Sequence, residues 1–242
     1  LTSAERRILI VANYGHFMSH CNMGVFPAMV LPLASTLNMD MGQVLTLSFL
    51  HFLLFGATAL PWGVAADRWG GQPLMALMFI GCSVSALGVG FWIGAPYELR
   101  LCLAGLGLFS GIYHPIGMGL ISKGIARINL AMGYNAMAGG MGLIAAPLLT
   151  GLLNWLAGPR GPYMLVAVMN LTGLALMRLF PPAAPGHSRE DSEGTSRDSY
   201  LAAFVILLAV MGFGGLAFTG ATAVLPSYLE LKSPAIFDYV SE

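Results

Sequence analysis

Charge is what this chain has least of. Only 9% of its 242 residues are charged and 57% are hydrophobic, whereas an ordinary soluble domain carries roughly 25% charged residues. A water-facing surface cannot be built from so few charges, which excludes a soluble globular protein. An excess of either sign is also missing. Eleven basic residues face eleven acidic ones, for a net charge of +0, so no electrostatic argument for a nucleic-acid partner arises. Cysteine is scarce as well. Cys21, Cys82 and Cys102 each sit inside an apolar stretch, their spacing offers neither a disulfide framework nor a zinc site, and they read as small apolar residues.

What the chain has in abundance is long apolar runs, reflected in a mean hydropathy of +0.75. Hydrocarbon offers no hydrogen-bond partners, so backbone amides must be satisfied within their own segment. A barrel strand needs only about 9–11 residues of alternating polarity. The runs here last roughly twice that without a period of two, so the fold class is all-α, a polytopic membrane helix bundle. Glu5, Arg6 and Arg7 lead into the first run, which is too long for a signal-peptide core and is retained as a span. The start on Leu1 and the end soon after an apolar segment point to a piece of a longer chain, with the C-terminal half of the same protein as its missing partner.

Cutting at charges and turn residues predicts seven spans: residues 8–37, 44–66, 73–94, 99–122, 129–156, 163–180 and 200–229. Connections such as 67–72 and 158–162 are short enough to make consecutive helices antiparallel neighbours. The one long polar connector, 181–199, carries Pro, Gly, Ser and alternating charges and reads as a solvated linker. The expected organisation is therefore an N-terminal six-helix bundle at 1–180, a cytoplasmic linker at 181–199, and a seventh helix opening an incomplete second bundle at 200–242.

Lysine and arginine flanking the spans set the orientation. Arg6, Arg7, Arg68, Lys123, Arg127, Arg178, Arg189 and Arg197 fall on the side of the N-terminus; Arg100, Arg160 and Lys232 fall on the other. The N-terminus and the linker are thus expected in the cytoplasm, the protein in a cell membrane of the bacterial inner-membrane kind. Val30-Leu31-Pro32-Leu33 near the end of the first span is echoed by Val224-Leu225-Pro226-Ser227 near the end of the seventh, as a parallel repeat of the six-span unit would produce.

The loop after the second span reads Gly63-Val64-Ala65-Ala66-Asp67-Arg68-Trp69-Gly70-Gly71-Gln72. It resembles the loop signature of the major facilitator superfamily, Gly-x-x-x-Asp-Arg-x-Gly followed by two basic residues; Gly63, Asp67, Arg68 and Gly70 match, while Gly71 and Gln72 stand where the basic residues usually are. The resemblance implies a conformational switch at Gly63, Asp67, Arg68 and Gly70, in which an acid at a helix end pairs with a neighbouring cation and a helix N-terminus. The fifth span, with Gly133, Gly142, Ala146-Pro147 and Gly151, is similar to the Gly/Pro signature of antiporters in this superfamily. Small residues there permit close helix approach and the proline bends the span, which equally suits helix packing alone. In the fourth span, Gly105-Leu106-Gly107 and Gly111-Ile112-Tyr113-His114-Pro115-Ile116-Gly117 resemble the Gly-rich segment of fosmidomycin-resistance-like efflux proteins.

Polar residues within spans are expensive and face the protein interior. Asn13, His16 and His20 share one face of the first span; His51 lies in the second, Tyr113 and His114 in the fourth, Asn135 in the fifth. In the superfamily, spans one, two, four and five line the N-terminal half of the central cavity, so these seven are the expected substrate-binding residues. The competing reading for each histidine is a bond to a neighbouring helix carbonyl. No span carries a central Asp or Glu, so proton coupling would fall to a histidine or to the missing half.

The function these features imply is secondary active transport of a small solute by alternating access, with proton-coupled efflux as one form. It is not enzymatic and needs no cofactor or resident metal; its partners are a small-molecule or ion substrate, protons and the lipid bilayer. Two alternatives stand beside it. His16 and His20 could share one metal in a membrane metal- or haem-binding protein, although the sequence offers no conspicuous second ligand pair. Alternatively, a truncated carrier could serve an assembly or regulatory role.

Overall fold

In the computed structural model, residues 1–182 are described, together with scattered helical positions between 206 and 232. Most of the linker expected at 181–199 and most of the seventh span lie outside the described residues. The chain divides into two compact units, Leu1–His187 and Ser188–Glu242.

The first unit contains ten helices among its described residues: α1 (Ser3–Ala28), α2 (Val30–Leu37), α3 (Met41–Leu47), α4 (Phe49–Ala57), α5 (Ala59–Trp69), α6 (Gly71–Phe91), α7 (Pro96–Ser110), α8 (Tyr113–Gly124), α9 (Ile128–Ala157) and α10 (Gly161–Leu179). By length and apolarity, α6, the continuous stretch Pro96–Gly124, α9 and α10 can each cross a membrane. Two further pairs pass the same test when taken together. α1 with α2 bends by 51°, and α3–α4 with α5 bends by 46°. The unit is therefore an all-α, multi-pass membrane bundle, as its apolar runs predict.

The bends have local causes. Pro27 lies in the last turn of α1, and Met29 breaks the helix just beyond it. Ser48 and Thr58, at the breaks on either side of α4, turn their hydroxyls back onto the carbonyls of Leu45 and Leu54, at 2.8 and 2.6 Å. Such back-bonding competes with the helical ladder and bends it. Ends are set by caps. Thr2 and Glu5 form a reciprocal capping box at α1, and Asp40 and Gln43 form another at α3. Gly70, between α5 and α6, has φ +82°, a left-handed backbone that a side chain would strain.

α1 is the central helix, packed against α9, α8, α10 and α7, while α6 packs on α10 and α7, and α4 on α7. The core around it includes Met75, Met78 and Phe79 of α6, Leu99, Leu103 and Leu106 of α7, Tyr113 of α8 and Tyr163 of α10, all buried. Large apolar side chains cover the outside too, among them Phe49, Leu60, Ile144, Leu148 and Trp155. Water would penalise that surface and hydrocarbon does not. Outside the apolar stretch that begins at Ile8, Glu5 also ties α1 to the α8–α9 connection by accepting from the Ala126 amide at 2.8 Å. That bond, then the one from the Thr2 amide, holds the Glu5 carboxyl below its ordinary range.

Candidate functional site

The polar residues of α1 meet those of α8 and α9 at one place. His16 of α1 is buried, and its Nδ1 lies 2.8 Å from the carbonyl oxygen of Asn135 on α9. A carbonyl can only accept, so Nδ1 carries the proton and donates it, leaving the Nε2 of a neutral His16 ring with a bare lone pair. One turn along, His20 brings its Nε2 to 3.1 Å from that atom, as residues i and i+4 on one face can. His114 from α8 stands edge-on to both rings, with centroids 5.3 Å from His16 and 5.6 Å from His20. One nitrogen from each of the three histidines lies within 4.8 Å of the others.

Asn135 is the polar hub. Its Nδ2 donates to the hydroxyl of Tyr113 at 2.6 Å and to Oδ1 of Asn13 at 3.2 Å. The Tyr113 ring in turn stacks on His16, with centroids 4.8 Å apart and planes 17° from parallel. Close helix approach makes the cluster possible. A Cβ at Gly139 would fall 2.6 Å from the His16 ring, and one at Gly142 would run into the carbonyl oxygen of Phe17, so α9 reaches α1 only because these positions are glycine. Phe55 of α4 closes one side, edge-on to His114 at 5.6 Å.

Six of the seven residues named from the sequence are thus brought together: Asn13, His16, His20, Tyr113, His114 and Asn135. His51 is not among them. It is fully buried, and its Nδ1 pairs with the Leu103 carbonyl oxygen at 2.9 Å, tying α4 to α7. A Cβ at Gly107 would run into the carbonyl oxygen of His51, so α4 and α7 approach closely there. Two polar residues that the sequence argument passes over make a similar tie. Asn22 and Asn170 are both buried and exchange side-chain bonds at 2.9 and 3.4 Å between α1 and α10. The signal for them is an amide in the apolar run of each span. Of the fifth-span motif, Gly142 makes the close approach just described, α9 runs on through Pro147, and Gly133 and Gly151 face open space among the described residues.

The motif expected as a loop is helical as far as Trp69; Gly63 and Asp67 of α5 and Gly70 just beyond it line a second feature, a cleft of about 780 Å³ bounded by α5, α6 and α8 and closed on one side by Pro115, Ile116, Gly119 and Lys123. Asp67 sits in the last turn of α5, and one residue of left-handed backbone separates Trp69 from the N-terminus of α6. Among the described residues neither Asp67 nor Arg68 is engaged in a side-chain hydrogen bond or ion pair.

Comparison with known proteins agrees with this architecture. The family model described as Major Facilitator Superfamily matches residues 13–235. The enterobactin exporter EntS of Shigella dysenteriae serotype 1 (strain Sd197) is 28% identical over 186 residues, which is 73% of this chain and 43% of that protein; the chain thus spans less than half the length of the curated relative it matches. A multi-pass apolar bundle that carries the Asp67-Arg68 pair in the last turn of α5, matched over most of its length by the family model, belongs to the major facilitator superfamily of membrane transporters.

Proposed function

We propose that the chain forms part of a secondary carrier that moves a small solute by alternating access, with one bundle rocking against another around a central site. The observation that carries this reading is the convergence of Asn13, His16, His20, Tyr113, His114 and Asn135 from three helices inside an otherwise apolar bundle. Intramembrane polar groups are costly and mark solute or ion paths. Reading each bent pair as one broken span makes six spans, which would form an N-terminal bundle at 1–180. The linker at 181–199 and the segment at 200–242 then lead into a second bundle that supplies the opposite wall. The distribution of lysine and arginine favours a cytoplasmic N-terminus.

The cluster offers donors and acceptors but no fixed charge, which favours an uncharged or cationic solute over a strongly anionic one. The exporter named among the relatives, and the resemblance of the fourth span to fosmidomycin-resistance-like efflux proteins, favour outward transport. With no acid in the middle of a span, a histidine of the cluster is the group that would carry a coupled proton. The test is flux of the intact protein in proteoliposomes across a panel of uncharged and cationic solutes, with and without an imposed pH gradient. The expected outcome is uptake that collapses with the gradient and falls at least about tenfold in His16→Ala, equivalent to roughly 1.4 kcal/mol. No flux for correctly inserted protein under any gradient overturns the reading.

A further inference from the structure

The three histidines are arranged as ligands as well as polar lining, and we propose that His16, His20 and His114 form a binding site for one borderline divalent transition-metal ion such as zinc or cobalt. Around a tetrahedral ion with metal–nitrogen bonds of about 2.0–2.1 Å, two ligating nitrogens stand about 3.3 Å apart. The His16 and His20 Nε2 atoms stand 3.1 Å apart, near that separation. All three ligand nitrogens fall within 4.8 Å of one another, so the third ring must close by at most roughly 1.5 Å to reach tetrahedral spacing. The rings packed around it are side chains, not backbone.

The surroundings of His16 match what a ligating histidine needs. Metal-bound imidazoles donate their second nitrogen to a carbonyl or carboxylate, which fixes ring orientation and tautomer. Asn135 supplies that carbonyl at 2.8 Å, Tyr113 stacks on one side of the ring, and Gly139 packs against it. The plane of His16 is thereby held and its unprotonated Nε2 is directed at His20. His20 and His114 are only partly buried, which leaves access for a fourth ligand, a water or an atom of a bound solute. The donor set is three neutral nitrogens with no carboxylate in the group. That composition disfavours calcium and magnesium, which take oxygen ligands, and suits zinc, cobalt, nickel or copper. Two of the ligands share a helix face and are legible as a pair in sequence; the third comes from α8 and needs the fold.

The site is independent of the transport reading: binding without flux would leave it intact, and flux without binding would remove it. Its test uses the intact protein in detergent, stripped with a chelator and titrated with cobalt. The expected result is one cobalt per chain, the strong visible absorption of four-coordinate cobalt, and displacement by zinc. His16→Ala, His20→Ala and His114→Ala should each weaken binding at least tenfold, while Cys102→Ala, which removes the half-buried thiol, should not. X-ray absorption on the zinc-loaded wild type guards against variants that fail to fold. It should show imidazole nitrogens at about 2.0–2.1 Å. Absence of stoichiometric binding, a first shell of oxygen without imidazole, or affinity untouched by all three substitutions in folded protein would each overturn the site.

Discussion

Asn135 does three jobs from one position. Its carbonyl fixes the His16 tautomer, and its amide donates to both Tyr113 and Asn13. Replacing it with alanine keeps the carbonyl but strands the buried Tyr113 hydroxyl and the Asn13 oxygen, and an orphaned buried polar group costs about 1–3 kcal/mol. Asn135→Ala is therefore expected to lower stability in detergent by an amount in that range, read by thermal or denaturant unfolding. Tyr113→Phe removes one of the same bonds, so the double variant should cost less than the two single losses together. Strict additivity would mean that the Tyr113 and Asn135 side chains act separately. Much of this site is legible in the sequence because an amide, imidazole or phenol in an apolar run has few reasons to be there, and because Asn13, His16 and His20 fall on one helical face. Two things are not legible. His51 carries the same signal as its fellow histidines yet spends it on the Leu103 carbonyl, and the arrival of His114 beside His20 depends on how α8 packs on α1.

At the scale of helices, composition predicts where apolar runs lie but not where they break. The first span reads as continuous until Pro27 is placed near the end of α1, and the second is interrupted at Ser48 and Thr58 by hydroxyls bonding back to carbonyls. Such residues can also sit in a straight helix, so their presence alone does not mark a bend. Glycine is similarly ambiguous. Gly142 and Gly151 belong to one motif on one helix, but a Cβ at Gly142 would collide with the backbone of Phe17, whereas at Gly151 it would meet nothing within 4 Å. Gly142→Ala forces α1 and α9 apart and is expected to cost about 1–3 kcal/mol, the usual range for overpacking a close contact. Gly151→Ala should be neutral or slightly stabilising, since alanine is the better helix former. Unfolding of the two variants in the same detergent checks this. Equal effects would mean that the α1–α9 approach does not depend on glycine at position 142.

At the scale of the whole molecule, a carrier must exchange two arrangements of nearly equal energy, so a modest change in charge at a moving junction shifts the balance. The α5–α6 connection has the features of such a junction. It is short, passes through the left-handed Gly70, and puts Asp67 in a cleft that also holds Lys123. At the C-terminal end of α5 the carboxylate faces an unfavourable helix dipole, while the N-terminus of α6 just beyond it is favourable, so the gain depends on how the two helices are set. With neither Asp67 nor Arg68 engaged among the described residues, their charges are available to stabilise another arrangement. Asp67→Asn keeps the size and removes the charge. It is expected to leave membrane insertion and folding unchanged while slowing transport at least about tenfold, or roughly 1.4 kcal/mol on the step it controls. The solute affinity of folded protein should shift much less, because the histidine cluster involves neither Asp67 nor Arg68. Flux and equilibrium binding measured on the same preparation separate these quantities. Undiminished flux would remove Asp67 from the switch, and parallel loss of binding and flux would place it in the solute site.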